Sequence, residues 1–235
     1  MHDPHPAPPA APRRERRLIR AQAISGLVFA TFLFLHLLNL MVSAFGPGLY
    51  DAFQIRVRPL YQFPLFEIGG LLTALLIHIA AGVARIRQRP RTRNWSRLPL
   101  RTRLHRMSAY FLLLVIFGHM AATRAPSLLD DVHLGFIGVS FALVYLPGFF
   151  VPYYILLGLT GLYHGTYGVI MSLKALGVRV PSVSRLGNRF WVPLGAAALL
   201  VVLGVLSFGG VLYAIDDPFQ SDFARYAAER FGVEP

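Results

Sequence analysis

Four histidines stand out because each lies deep in an apolar run: His36, His78, His119 and His164. Ionisable side chains are costly inside a membrane and mark function there. Their separations are 42, 41 and 45 residues, so each belongs to a different segment. A single histidine in such a place is most simply a hydrogen-bonding residue between two helices. Four on successive segments, with no other strongly titratable residue deep in the same runs to pair with, point instead to ligation. Two opposed imidazoles supply both axial ligands of a low-spin haem iron.

The segments that must position them read as membrane helices. Of 235 residues, 55% are hydrophobic and 14% charged, where soluble domains carry about a quarter charged. A spanning helix takes about 20 apolar residues. The candidates run from about Ala21 to Phe45, Pro64 to Ala84, Met107 to Ala122, Phe149 to Leu173 and Phe190 to Ala214. The third is short, but Arg106 and Arg124 can snorkel at its ends. The sequence therefore predicts an all-α membrane protein of five transmembrane helices, the first four forming a bundle around the histidines. Residues 1–17 read as a disordered, basic N-terminal arm containing solvated His2 and His5. Residues 18–214 form the membrane domain, and 215–235 a short acidic tail. No small-residue cleavage site follows the first apolar run, so that run reads as a retained helix. The apolar stretch from Val132 to Leu146 is short and closed by Pro147 and Pro152, and it reads as interfacial or re-entrant.

Charge sets the orientation. The net charge is +12, with the basic residues between apolar runs and at the amino terminus. That distribution is topological rather than a nucleic-acid footprint. The amino-terminal arm carries Arg13, Arg14, Arg16, Arg17 and Arg20. Nine arginines and no acid lie between Arg85 and Arg106, and Lys174, Arg179, Arg185 and Arg189 separate the last two spans. The other side holds Arg56, Arg58, Arg124, Arg225, Arg230 and nine of the eleven acids. The positive-inside bias puts the amino terminus in the cytoplasm and the carboxyl terminus outside. The absence of cysteine excludes disulfides, thiolate-held iron–sulfur clusters and covalently attached haem within this chain.

Depth sorts the histidines into pairs. At 1.5 Å per residue, His36 lies about 24 Å beyond Arg20 and His119 about 20 Å beyond Arg106. His78 lies about 10 Å from Arg85, and His164 about 15 Å from Lys174. His36 with His119 thus forms an outer level and His78 with His164 a cytoplasmic one, giving two b-type haems stacked across the membrane. Gly158, Gly161, Gly165 and Gly168 make a smooth face beside His164, suited to a porphyrin groove or to close helix packing. Gly82 and Gly118 flank the other ligands. Ser25 and Ser108 each precede their histidine by eleven residues, close to three turns. Asn39 and Thr160 lie one turn from His36 and His164 and are candidates to accept the second imidazole N–H. Haem propionates need cationic partners: Arg85, Arg103, Arg106 and Lys174 on the cytoplasmic side, Arg56, Arg58 and Arg124 outside. His105 and His133 read as surface residues.

These features resemble the two-haem, single-chain cytochrome b subunit of the succinate dehydrogenase and fumarate reductase family. The resemblance rests on the strings SGLVFATFLFLHLLN, FEIGGLLTALLIHIAAG, RMSAYFLLLVIFGHM and GLTGLYHG, and covers roughly residues 17–214. It implies a membrane anchor in the bacterial inner membrane, the non-flavin subunit of a larger enzyme. An iron–sulfur subunit would dock on its cytoplasmic face, with a flavoprotein subunit beyond. Electrons would pass between that partner and a quinone, typically menaquinone, by way of the two haems. The resemblance also implies an acidic residue handling quinone protons near the outer haem. Glu67, opening the second span, is the first choice and Asp51 the second. The rivals are a haem b anchor of another quinone-linked enzyme, of the formate dehydrogenase or hydrogenase type, and a histidine-relay proton-coupled transporter.

Overall fold

The computed structural model describes residues 12–88 and 95–233. The expected solvated His2 and His5, the acidic Glu234, and Arg89, Arg91 and Arg93 of the basic loop lie outside the described residues. The fold is helical, with no strand among the described residues. The helices are α1 (Arg13–Val42), α2 (Pro47–Tyr61), α3 (a π-helical start, Leu65–Leu72, continuing as Thr73–Arg87), α4 (Leu100–Leu129), α5 (Phe136–Tyr145), α6 (Pro147–Ala175), α7 (Val183–Leu186), α8 (Asn188–Phe208) and α9 (Asp222–Phe231).

Four of the segments, Arg13–Phe45, Leu65–Arg87, Leu100–Leu129 and Asn188–Phe208, are long and apolar enough to cross a membrane. That is the character of a multi-pass membrane protein. The sequence reading counts α6 as a further span. At 29 residues α6 has the length, but its glycines, tyrosines and histidine leave it less apolar than the other four. Helix ends also differ from the sequence reading. α1 begins at Arg13, inside the arm expected to be disordered, and α4 covers 30 residues rather than a short span. α8 stops at Phe208, where Gly209 and Gly210 follow and Gly210 takes a φ of +75° that other residues rarely adopt.

α1 is the centre of the bundle, packed along α3 and α6, and α6 packs in turn on α4 and α8. Neighbours in the chain run in opposite directions. Gln22 near the start of α1 meets His78 and Arg85 toward the end of α3, and Tyr163 and Tyr167 of α6 stack near Trp191 and Phe190 at the start of α8. The described arginines of α1, α3 and α8, those of α4 up to Arg106, and Lys174 of α6 therefore gather at one end, the basic end, while Arg124 of α4 lies toward the other. α8 comes close to the backbone of α1 at Gly204, where a side chain would strike the Leu40 carbonyl at 2.4 Å. Ser43 Oγ is 3.0 Å from the Gly204 carbonyl at the same crossing. α4 packs closely on α6 but barely meets α1 or α3. Only Ser108 and Pro126 are fully buried along its length, so a seam runs between α3 and α4.

The far end is closed by a cap built largely from segments the sequence reading left as loop or tail. α2 buries Tyr50, Gln54 and Val57, the four- and three-residue spacing of one helix face. Asp51 Oδ1 accepts the Phe136 backbone N–H at 2.8 Å and so caps the start of α5. Tyr50, Phe136, Leu143, Val205 and Phe208 form one apolar cluster beneath it. The Val132–Leu146 segment, expected to be interfacial or re-entrant, contains a ten-residue helix packed in this cap against α2, α6, α8 and α9. The acidic tail is also folded. Ser221 caps α9 by accepting the Ala224 N–H at 3.1 Å, Ala224 and Ala227 pack on Phe141, and Arg230 pairs with Asp130 at 2.6 Å.

Candidate functional site

The four histidines of the apolar helices meet as two pairs, each joining two helices that face across the bundle. Toward the basic end, His78 of α3 faces His164 of α6, with ring centroids 6.2 Å apart and planes at 89°. Toward the far end, His36 of α1 faces His119 of α4 at 6.0 Å and 67°. These are the pairs expected from depth along the helices. Gly26, ten residues before His36, lies beside the His78 ring, and His105, fourteen before His119, lies beside His164. The two levels are therefore about 15–20 Å apart along the bundle axis. All four rings are half-buried, neither lost in packing nor turned out to solvent.

Ligation geometry matches these spacings. A ligating imidazole nitrogen lies about 2.0 Å from its metal and about 1.1 Å from its own ring centre, so two rings on opposite sides of one iron sit about 6.2 Å apart. The angle between the planes is unconstrained, because rotation about the iron–nitrogen axis leaves the bond unchanged. Among the described residues no three His, Asp or Glu side chains converge to hold a bare ion. Paired imidazoles suit a metal whose remaining ligands come from a macrocycle.

Around the basic-end pair, the surroundings leave one nitrogen of each ring available. His78 Nδ1 lies 3.0 Å from the Gln22 carbonyl, and His164 Nδ1 lies 3.4 Å from the His105 carbonyl and 3.4 Å from Ser108 Oγ. A carbonyl holding Nδ1–H turns Nε2 toward a metal. Gly26 of α1 makes the room: a Cβ there would sit 2.8 Å from both Cε1 and Nδ1 of His78. Buried polar atoms are nearly always paired, yet Arg103 Nε and His105 Nδ1, both at the basic end, have no partner. Orphans of this kind, the open α3–α4 seam and the paired rings together fit a haem with carboxylate substituents. Arg103 was among the propionate candidates. Arg85 is held by Gln22 Oε1, and Arg106 lies 5.9 Å from the Trp95 ring centre.

At the far-end pair, Phe32 stacks on His36 at 5.5 Å and Tyr154 approaches His119 at 6.2 Å. An apolar cleft of about 340 Å³ opens beside it, between Ala121 and Ala125 of α4 and Phe223, Tyr226 and Phe231 of α9. Gly118, next to His119, borders this cleft, and a side chain there would meet nothing within 4 Å. Glu67 sits in the π-helical start of α3 and bridges the seam to α4: its carboxylate accepts from Arg124 Nε at 2.5 Å and Nη2 at 2.8 Å. Such π-helical insertions recur at functional sites. Arg124 also donates to Ser127 at 2.9 Å, and Arg58 reaches Ser127, Gln62 and His133. Arg58 and Arg124 thus already have protein partners. Asp51 Oδ1 is tied to the α5 backbone.

Several expectations change. His105 is not a surface residue: it stacks on His164 with centroids 4.3 Å apart and planes 9° apart. Of the two readings of the α6 glycine face, close packing is the one visible at three of its four positions. Side chains at Gly158 and Gly165 would strike Val201 at 2.6 Å and Leu33 at 2.9 Å, and Gly161 faces Leu33 at 3.7 Å. His164 Nδ1 lies by the His105 carbonyl and Ser108 Oγ rather than by Thr160, whose hydroxyl donates to Leu156 of its own helix at 2.7 Å. Ser25 likewise bonds within α1. Ser108 serves His164 rather than the His119 of its own helix. Asn39 is buried, but its Oδ1 has no hydrogen-bond partner. His133 is exposed, as expected.

Compared with known proteins, this chain matches no family model, no curated protein and no solved structure.

Proposed function

We propose that this chain is a membrane-anchor cytochrome b subunit, with His36 and His119 as axial ligands of one b haem and His78 and His164 as those of a second. The observation that carries this reading is the pair of imidazole couples at 6.0 and 6.2 Å, set at two levels of one helical bundle. When bound, the haems would supply one-electron transfer along the bundle. The protein's part is position, ligation and dielectric. The Gln22 and His105 carbonyls hold the basic-end imidazoles with one nitrogen free, and the cap of α2, α5 and α9 covers the far end.

In this reading α6 is the fifth span. A helix surrounded by α1, α4 and α8 needs less apolar surface than one facing lipid, which accounts for its composition. The basic end faces the cytoplasm of a bacterial inner membrane, where an iron–sulfur subunit docks with a flavoprotein subunit behind it. A quinone exchanges electrons at the far end. Succinate dehydrogenase or fumarate reductase is the parent enzyme by resemblance of the histidine strings. Glu67 is the residue assigned to quinone protons, and to serve it must exchange its Arg124 partner for the quinone.

A reduced-minus-oxidised optical spectrum of the purified chain tests the core of this proposal. The expected result is b-type bands with two haems per chain. A protein purified from haem-replete cells that shows no such bands refutes it.

A further inference from the structure

We propose that His105 is a positioning residue that fixes the plane of the His164 imidazole. This inference rests on the haem reading above. The torsion that spins an imidazole about its Cβ–Cγ bond is broad, so a ligating histidine takes its plane from what surrounds it. Around His164 those surroundings come mainly from the first turns of α4. The His105 ring lies flat against it at 4.3 Å and 9°, and the His105 carbonyl lies 3.4 Å from its Nδ1. Ser108 Oγ donates to that carbonyl at 2.9 Å, fixing it in turn.

α6 builds a seat for the His105 ring. Tyr167 closes on it at 5.0 Å and 47°, and Gly168 lies against it, where a Cβ would be in ordinary contact with His105 Cε1 at 3.5 Å. Positions 164, 167 and 168 lie on one face of a helix. His105 lies beside His164, not opposite it. The opposite place is held by His78, whose plane stands at 89° to that of His164. His105 therefore acts through His164 and not on the iron.

Ligand-plane angle is read directly by electron paramagnetic resonance of the oxidised, haem-loaded full chain. Perpendicular imidazole planes give a highly anisotropic low-spin signal with a large low-field g value, and parallel planes give a rhombic one. His105→Phe keeps a flat ring; His105→Leu fills the space without one. The wild type and His105→Phe are expected to share the anisotropic signal of the basic-end haem. His105→Leu is expected to shift or broaden that signal alone and to lose that haem about three- to tenfold faster, the scale of one aromatic stack. The far-end haem serves as the internal control. An unchanged signal and release rate in His105→Leu overturns the assignment. So does a Phe variant that behaves like Leu, or loss of both haems together, which would mark a purely structural role. Absence of haem from the wild type is a different result, seen before any substitution, and refutes the haem reading itself.

Discussion

Gly26→Ala is the sharpest single test of the site, because it adds one carbon to α1 at the point where His78 crosses it. That carbon would lie 2.8 Å from two atoms of the imidazole ring, where ordinary contacts begin at 3.4 Å. The ring would have to retreat by about 0.6 Å, three times the roughly 0.2 Å that metal–ligand distances tolerate. It cannot retreat freely, since Nδ1 is held 3.0 Å from the Gln22 carbonyl. Overpacking of this kind costs about 1–3 kcal/mol, a factor of about 5–150 in occupancy. In the helix itself alanine is favoured over glycine by about 1 kcal/mol, so a loss cannot be blamed on a weakened α1. The assay is haem per chain by alkaline pyridine extraction, with optical spectra of the reduced protein. Gly26→Ala should fall from two haems toward one and keep the far-end haem. Gly118→Ala, beside His119 but facing open space, should keep both. Full retention with unchanged spectra in Gly26→Ala, or loss of the far-end haem first, would refute the packing argument and the assignment of His78 as a ligand.

Further outcomes follow from the same geometry. His36→Ala and His119→Ala should remove one and the same haem, and His78→Ala and His164→Ala the other. Spectra showing a mixed pairing, such as His36 with His78, would contradict the two levels. Glu67→Gln removes the charge that Arg124 grips with two hydrogen bonds across the α3–α4 seam. With both side chains about a quarter exposed, the cost should be about 1–2 kcal/mol, read as a lower thermal midpoint in detergent; an unchanged midpoint would show that the pair does not hold the seam. Partial desolvation, and then the Arg58 charge, hold the largely exposed His133 below its ordinary pKa. The unfolded chain then binds the extra proton first, so stability should drop as pH falls below about 6.5. His133→Gln should lose that part of the dependence, and identical melting curves for the two proteins between about pH 7.5 and 5 would exclude His133 as the cause.

Much of this was legible in the one-dimensional chain. Helical rise converts residue number into depth, so counting from Arg20, Arg85, Arg106 and Lys174 is enough to sort four histidines into two levels. Hydrophobic length gives four of the helices long and apolar enough to span, and the clustering of arginine gives the basic end. What depth along a helix cannot give is azimuth and neighbour. The Ser25 and Ser108 repeat put each serine on its own histidine's face, yet Ser108 meets His164 because α4 and α6 run in opposite directions. The α6 glycines were ambiguous between cofactor and packing until Leu33 and Val201 stood against them. Gly26 carried no signal at all, being one glycine in an apolar helix, and only the crossing of α3 makes it the residue that admits His78. His105 read as part of a basic loop because arginines surround it, whereas α4 begins before it and turns its ring onto α6. The cap was hidden for a related reason. α2, α5 and α9 are too short or too polar to announce themselves as spans, and their buried faces exist only once Tyr50, Phe136 and Phe141 find partners from distant parts of the chain.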